Sequence, residues 1–152
     1  MVNTMRTSLA RVDDLDEVVS LLTAQFDEHR MVCEAAVVRA AASGALDQPS
    51  RGTFLLARET GPVGLAYIAY IWTLEHGGRT AWLEELYVVP AMRSRGVGSA
   101  LLRAVFAHAA KEECAAIDLE VDEDHARVAS LYLRAGFRRL QRNRWYAKLA
   151  GR

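Results

Sequence analysis

The sequence has little of several features that mark particular classes of protein. Its only two cysteines, Cys33 and Cys114, lack metal-ligand spacing, which predicts reduced structural thiols and no bound metal. Basic and acidic residues both number 19, so nothing attracts the whole chain to nucleic acid or an anionic membrane. No apolar run approaches a membrane span, and residues 1–14 lack a signal-peptide core. These absences predict a cytoplasmic protein with neither nucleic-acid nor membrane partners.

Hydrophobic periodicity predicts a single α/β (α+β) domain over residues 1–152. A short strand near the N-terminus precedes two helices, and three antiparallel strands follow. The rest alternates helix, strand, helix and strand, with the final strand in "FRRLQRNRWYAKL". Helical crossovers imply that the fourth and fifth strands are parallel. We expect a mixed sheet of six to seven strands, an antiparallel N-terminal half and about four helices.

The segment "VVPAMRSRGVGSALL", residues 88–102, places two glycines between a strand and a helix. Gly96 and Gly98 let backbone N–H groups approach an anion at the helix N-terminus, which suits a pyrophosphate. A Walker loop is excluded because no Gly-Lys-Ser/Thr follows. A dinucleotide-binding oxidoreductase is disfavoured because Leu101 occupies the third glycine position of that fingerprint. An ordinary strand-to-helix turn is the remaining alternative.

Two longer segments together resemble the GNAT superfamily of N-acetyltransferases. "LEELYVVPAMRSRGVGSALL" is similar to its acetyl-CoA motif, with Arg93, Gly96 and Gly98 at the defining positions. "IDLEVDEDHARVASLYLRAGF" is similar to its later strand, helix and Tyr-x-x-x-Gly-Phe segment, carried by Tyr132 and Gly136. The resemblance implies the GNAT fold, acetyl-CoA as cofactor, and acetyl transfer to a primary amine by direct attack in a ternary complex.

The resemblance also implies which residues hold coenzyme A. The pantetheine arm would lie along the backbone of Leu86, Tyr87 and Val88. His125 stands where many relatives carry an asparagine; it is either a cofactor ligand or an exposed residue next to Asp124 as helix N-cap. The pyrophosphate would be held by the turn and the first helical residues, namely Arg93, Ser94, Arg95, Gly96, Val97, Gly98 and Ser99.

Three provisions are needed for acetyl transfer: removal of a proton from the amine, polarisation of the carbonyl, and protonation of the thiolate. The resemblance gives Tyr132 the role of proton donor to the sulfur. It also favours Glu84 as base, from the similarity of "LEELYV" to diamine acetyltransferases. Strand alternation predicts Glu84 and Glu85 on opposite faces, with only one facing the active site. Glu120 is a secondary candidate for the base.

The acceptor is expected to be a small molecule of the polyamine, aminoglycoside or amino-acid type. Glu28, Trp72, Glu84 and Glu85 are its candidate binding residues, as acidic and aromatic groups suited to a cation. A protein N-terminal or lysine acetyltransferase is the alternative acceptor class. A non-catalytic acyl-CoA sensor is the alternative of another kind. The final strand, with its aromatic edges, suggests a homodimer.

Overall fold

One mixed sheet organises the molecule, seen in a computed structural model that describes residues 4–122 and 125–151. The strands lie in the order β1-β2-β3-β4-β5. Neighbours from β1 to β4 are antiparallel, and β5 runs parallel to β4, as predicted. The strands are β1 (Arg6–Leu9), β2 (Gly52–Arg58), β3 (Pro62–Thr73), β4 (Gly78–Val88) and β5 (Ala116–Leu119).

Four α-helices connect these strands. They are α1 (Leu15–Glu28), α2 (Ala35–Asp47), α3 (Val97–Lys111) and α4 (Ala126–Arg134). Single turns of 3-10 helix precede α1 at Val12–Asp14 and α3 at Pro90–Met92. Helix α2 continues through Gly44 to Asp47. The alanine-rich neighbourhood of Gly44 offsets its low helix propensity.

The two faces of the sheet bury separate cores. On one face, α3 packs Val97, Leu101 and Val105 against Ile68 and Leu83 of the sheet. On the other face, α1 and α2 pack against alternating residues of β2, β3 and β4, represented by Phe54, Leu65 and Tyr87. Strand alternation divides the sheet residues between these cores. The face covered by α1 and α2 carries the candidate acceptor cavity described below.

The predicted strand after α4 does not form among the described residues. The sheet has five strands where six to seven were expected, and residues 137–149 are irregular apart from a bend at residue 141. A strand needs a paired neighbour, and β5 offers an edge of only four residues. Trp145 and Tyr146 consequently remain exposed.

The parallel pairing of β4 and β5 covers only part of β4. It runs from Thr80 opposite Ala116 to Leu83 opposite Leu119. Beyond Leu83, the β5-facing edge of β4 has no strand partner among residues 4–122 and 125–151. The sheet therefore opens at the C-terminal half of β4.

Candidate active site

The turn before α3 presents a group of free backbone donors. Ser94 and Gly96 have positive φ angles of 59° and 82°, and Gly96 is the N-cap of α3. The first internal bond of the helix runs from the Ala100 N–H to the Gly96 carbonyl. In the described part of the chain, no backbone carbonyl accepts from the N–H groups of residues 94–99. This donor array, at the positive end of the helix dipole, fits a pyrophosphate.

Gly98 allows close packing of two helices as well as access of an anion to the backbone N–H groups. A Cβ at residue 98 would lie 3.3 Å from Cδ2 of Leu131, on α4. The absence of a side chain therefore lets α4 lie against the start of α3. Tyr132, the next residue of α4, packs against the core under α3.

Arg93 ties the end of β4 to the end of α1. Its Nε donates to the Val88 carbonyl at 2.9 Å, and its Nη2 lies 2.6 Å from Oε2 of Glu28. The hydrogen bond from Arg93 is the main reason that the pKa of Glu28 is lowered. Glu28 was predicted to bind the acceptor, but its carboxylate is engaged by Arg93. We therefore interpret it as a support for the phosphate-binding turn.

The predicted pantetheine-binding segment lies on the free edge of β4. Leu86 and Val88 pack against the core under α3, whereas Tyr87 is buried in the core under α1 and α2. Their side chains are therefore occupied in packing, while the edge beyond Leu83 offers backbone groups. The Val88 carbonyl is the exception, since Arg93 occupies it. An extended ligand could pair with this edge as an added strand.

A β-bulge brings the two consecutive glutamates to the same cavity. Leu83 pairs with Ile68 and Glu85 pairs with Tyr67, so Glu84 is the extra residue on β4. The prediction that strand alternation places Glu84 and Glu85 on opposite faces is therefore wrong. Both line a cavity between the sheet and helices α1 and α2. Strand alternation gave the wrong placement because it assumes that the register between β3 and β4 is unbroken.

The two carboxylates have different electrostatic surroundings. Burial, followed by the nearby charge of Glu84, raises the pKa of Glu85 to about 7, while a hydrogen bond from Gln25 opposes the rise. Burial also raises the pKa of Glu84, against the opposing charge of Arg144. Glu85 thus exchanges its proton near neutral pH, which is the range that suits a general base.

Tyr132 interacts electrostatically with Glu85. Burial, followed by the charge of the Glu85 carboxylate, raises the pKa of Tyr132 to about 12 and so favours the neutral phenol. Its ring makes an edge-to-face contact with Phe137, with centroids 5.7 Å apart. Within the described residues its hydroxyl has no recorded hydrogen-bond partner. A neutral phenol with a free proton is the form that a proton donor requires.

Glu120 is already paired. It forms an ion pair with Arg144, whose guanidinium also lies 5.5 Å from the centroid of the Trp82 ring. Arg144 comes from the segment after α4 and interacts electrostatically with Glu84 as well. The arrangement links two sequence candidates, Glu84 and Glu120, to one cation and leaves Glu120 less available than Glu85 as a base.

His125 is the N-cap of α4 and makes no side-chain capping bond. Its ring stacks at a tilt on His29, at the end of α1, with centroids 4.6 Å apart. The contact joins the ends of two helices near the opening of the sheet. The alternative assignment of the N-cap to Asp124 falls on a residue outside the described ones.

Trp72 is not brought to the cavity. It lies five residues beyond Tyr67 on β3, about 16 Å along the strand. Alternation places it on the face of Tyr70, which packs toward α3, and its side chain is 75% exposed. Trp72 does not line this cavity, and its role in binding the acceptor stays a prediction.

Sequence reasoning missed three residues around the carboxylates: Gln25, Phe54 and Tyr67. Phe54 and Tyr67 line the cavity, and their rings stack with centroids 4.4 Å apart. Gln25 is 4% exposed, and its Oε1 has no partner within the described residues. A signal for Gln25 was present, since it follows Leu21 and Leu22 on the buried stripe of α1.

Within residues 4–122 and 125–151, no group of three or more His, Cys, Asp and Glu side chains could hold a metal ion. No helix in that part of the chain is long and apolar enough to cross a membrane.

Comparison with known families agrees with this geometry. The model of the Acetyltransferase (GNAT) family matches residues 15–137, which include the sheet from β2 onwards, all four helices and every candidate catalytic residue. The chain belongs to the GNAT family of acetyltransferases. The predicted family and fold are thereby confirmed, and acetyl-CoA is the cofactor of this family.

Individual relatives add detail. Thialysine N-epsilon-acetyltransferase from Sus scrofa is 35% identical over 78 residues, which span 51% of this chain and 44% of that protein. An integron cassette protein from the Cole Harbour Salt Marsh metagenome has a TM-score of 0.85 at 24% identity, covering 96% of this chain and 91% of the other. Aminoglycoside N-acetyltransferase AAC(6')-Iy, solved with CoA, has a TM-score of 0.82 at 18% identity, with 95% of each chain covered. Both structures establish similarity of fold.

Proposed function

We propose that the protein transfers an acetyl group from acetyl-CoA to the primary amine of a small molecule. The observation that carries this proposal is that Glu85, on the part of β4 beyond its pairing with β5, is close enough to Tyr132 for its charge to raise the pKa of the phenol. A base of suitable pKa and a neutral phenol thus lie together, beside a cavity that can admit an acceptor. In the reaction, the amine nitrogen gains a bond to the acetyl carbon and the thioester C–S bond breaks.

The chain's own residues fit the cofactor. Free N–H donors of residues 94–99 would hold the pyrophosphate, and the unpaired edge of β4 would hold the pantetheine arm. Arg93 holds the turn against the end of β4 through its hydrogen bond to the Val88 carbonyl, and against α1 through its ion pair with Glu28. When bound, acetyl-CoA supplies the acetyl group as an activated thioester. His125, at the start of α4, would be a further ligand of the cofactor.

The acid and base roles follow from the protonation states. The carboxylate of Glu85 accepts the proton of the bound ammonium, because its pKa of about 7 keeps much of it ionised and basic at neutral pH. Glu84 contributes a second negative charge that attracts the ammonium. The Tyr132 hydroxyl donates the proton needed by the sulfur. This assignment differs from the sequence resemblance, which favours Glu84 as base.

The burial of Glu85 and its interaction with Tyr132 support this choice. Arg144 lies close enough to Glu84 to oppose the rise in its pKa, whereas Glu85 faces Glu84 and Tyr132. A base must act on the same reacting centre as the acid, and Glu85 is the carboxylate that interacts with the acid.

Acetyl-CoA-dependent thiol release tests the proposal. A panel should contain alkyl and arylalkyl amines, polyamines, aminoglycosides, amino acids and short peptides. Saturable release with a small amine supports it, and release only with peptides would favour a protein acetyltransferase. Tight acetyl-CoA binding without release on any amine would indicate a sensor domain instead.

We also propose that the protein is a cytoplasmic homodimer. The segment after α4 exposes Leu140, Trp145, Tyr146 and Leu149, an unusual apolar surface that a second copy could cover. Free Cys33 and Cys114 fit a reducing compartment. Light scattering should give twice the monomer mass, and Trp145→Ser with Leu149→Ser should give a monomer. A wild-type monomer at all concentrations would contradict the dimer.

A further inference from the structure

The side chains that line the cavity beside Glu84 and Glu85 limit the chemical classes of acceptor that it can bind. It has a volume of about 540 Å³ and lies between α1, α2 and the sheet. Most of its lining is apolar, and among the described residues its charged lining groups are all carboxylates: Glu34, Glu84 and Glu85. The site therefore offers charge complementarity to a cation and apolar contact to the rest of a ligand.

A row of side chains across the sheet gives the cavity a polar end and an apolar end. Glu85 on β4 pairs with Tyr67 on β3, and Tyr67 pairs with Phe54 on β2. All three line the cavity, and Tyr67 stacks on Phe54. Two inter-strand spacings separate the backbones of Glu85 and Phe54 by about 10 Å. A ligand whose nitrogen is held at Glu85 would thus extend over two aromatic rings.

The opposite wall is a stripe of small apolar residues on α2. Val38, Ala41, Ala42 and Ala45 share this face at helical spacing and line the cavity. Arg51 donates from Nη1 to the Gly44 carbonyl at 3.1 Å, which fixes the C-terminal end of α2 beside the start of β2. The apolar end of the cavity is therefore closed by alanines on one side and by Phe54 on the other.

The third carboxylate lies away from this apolar end. Glu34 is the exposed N-cap of α2, about 16 Å along the helix axis from Ala45. Apart from Glu34, Glu84 and Glu85, the described lining residues include no Asp, Glu, Asn or Gln that could serve a polar group beside Phe54 and Ala45. A second ammonium group or a row of hydroxyl groups at that end would lose its hydrating water and gain no hydrogen-bond partner in return.

We propose that the acceptor is a monoamine with an unbranched apolar or aromatic body, bound with its nitrogen at Glu84 and Glu85 and its body between Tyr67, Phe54 and α2. This inference rests on the proposed function for the orientation of the nitrogen. Polyamines and aminoglycosides do not match the apolar end of the cavity, because their bodies are cationic or hydroxylated. Alkylamines and arylalkylamines are the matching chemistry.

The test compares two ligands with the same six-carbon chain, n-hexylamine and hexamethylenediamine. Calorimetry on the full chain with a saturating non-transferable acetyl-CoA analogue should show about a hundredfold weaker binding of the diamine, because its second ammonium enters the apolar end. Acetylation should show the same order in kcat/KM, with phenethylamine close to hexylamine and with spermidine and kanamycin poor. Equal or tighter binding of the diamine would overturn the inference.

Substitutions at Ala41 provide a matched pair. Ala41 is exposed on α2, so changes there should leave the fold intact. Ala41→Glu places a carboxylate on the apolar wall and should improve diamine binding about tenfold relative to hexylamine. Glutamine has nearly the same size as glutamate but no charge, so Ala41→Gln should keep the wild-type preference for the monoamine. An unchanged preference in Ala41→Glu would overturn the proposed position of the ligand body.

Two results separate this inference from the proposed function. Tight hexylamine binding without acetylation would remove the enzyme activity but support the apolar acceptor site. Rapid acetylation of a diamine or aminoglycoside, with poor use of hexylamine, would establish the enzyme and overturn the acceptor class. A diamine preference abolished by Glu34→Gln would place the second ammonium at Glu34 and likewise overturn it.

Discussion

Glu85 of β4 lies opposite Tyr67 of β3, whereas the preceding Glu84 has no partner on that strand. This bulge brings two consecutive carboxylates to one cavity and bends β4 where its pairing with β5 has ended. The crowding of like charges, added to burial, raises the pKa of Glu85 to about 7. The local break in the register thus produces the group that we assign as base.

The Tyr132 hydroxyl should contribute to the rate rather than to cofactor binding. Tyr132→Phe keeps the ring against Phe137 but removes the proton donor, so kcat should fall about a hundredfold. Acetyl-CoA affinity, measured by calorimetry, should change little. Tyr146→Phe, at a side chain that is 86% exposed, is the matched control and should be fully active. An unchanged kcat in Tyr132→Phe would remove the residue from the chemistry.

The pH profile should identify the base. Because Glu85 must be ionised to accept a proton, kcat/KM should rise with pH and level off above about 7. Glu84→Gln removes the like charge that raises the pKa of Glu85, so this rise should move to lower pH. Glu85→Gln should abolish the rise and lower the rate about a hundredfold.

The reverse pattern has an equally clear meaning. A pH-dependent rise that survives in Glu85→Gln and disappears in Glu84→Gln would give the role of base to Glu84, as the sequence resemblance implies. Stopped-assay measurements over the full pH range, with saturating acetyl-CoA, distinguish the two patterns.

Burial of Glu85 should also make stability depend on pH. Its folded-state pKa of about 7 lies above the ordinary glutamate pKa of 4.5, so the folded state binds more protons between these values. This contribution to the free energy of unfolding is complete below about pH 4.5 and is lost as pH rises through about 7. Relative to wild type, Glu85→Gln should therefore gain about 1–3 kcal/mol at high pH and little at low pH. Urea unfolding at several pH values measures it; a gain independent of pH would contradict this origin.

The turn before α3 should require glycine at one position for its backbone angle. Gly96 has a φ of 82° with open space around it, so a side chain would add strain but no clash. Gly96→Ala should cost about 1 kcal/mol of stability and weaken acetyl-CoA binding by distorting the donor array. Gly61→Ala, at a turn with equal space and no positive φ, is the control and should be nearly neutral. Unaltered stability and affinity in Gly96→Ala would contradict this account of the turn.

Much of the fold follows from periodic patterns in the sequence. The repeat of Leu15, Val18 and Leu22 matched α1, and the parallel pairing of β4 with β5 followed from the helical crossover of α3. The last strand was wrong because its apolar residues, such as Trp145, resemble strand residues whether or not a neighbour pairs with them.

The site was only partly predictable for a similar physical reason. The glycine turn and Tyr132 belong to contiguous motifs, so the sequence displays them. The bulge at Glu84 depends on the register between β3 and β4, which no short pattern encodes. The stacking of Phe54 on Tyr67 depends on two further pairings across the sheet. Glu28 and Trp72 were chosen for residue type alone, which does not reveal that Arg93 pairs with Glu28 or that Trp72 lies outside the cavity.

Product analysis by mass spectrometry tests the central claim most directly. With isotopically labelled acetyl-CoA and n-hexylamine, the wild-type protein should form labelled N-acetylhexylamine and free coenzyme A in equal amounts, and Tyr132→Phe should form both slowly. Release of coenzyme A without the amide, or tight acetyl-CoA binding with no product from any amine in the panel, would contradict the assignment as an amine acetyltransferase.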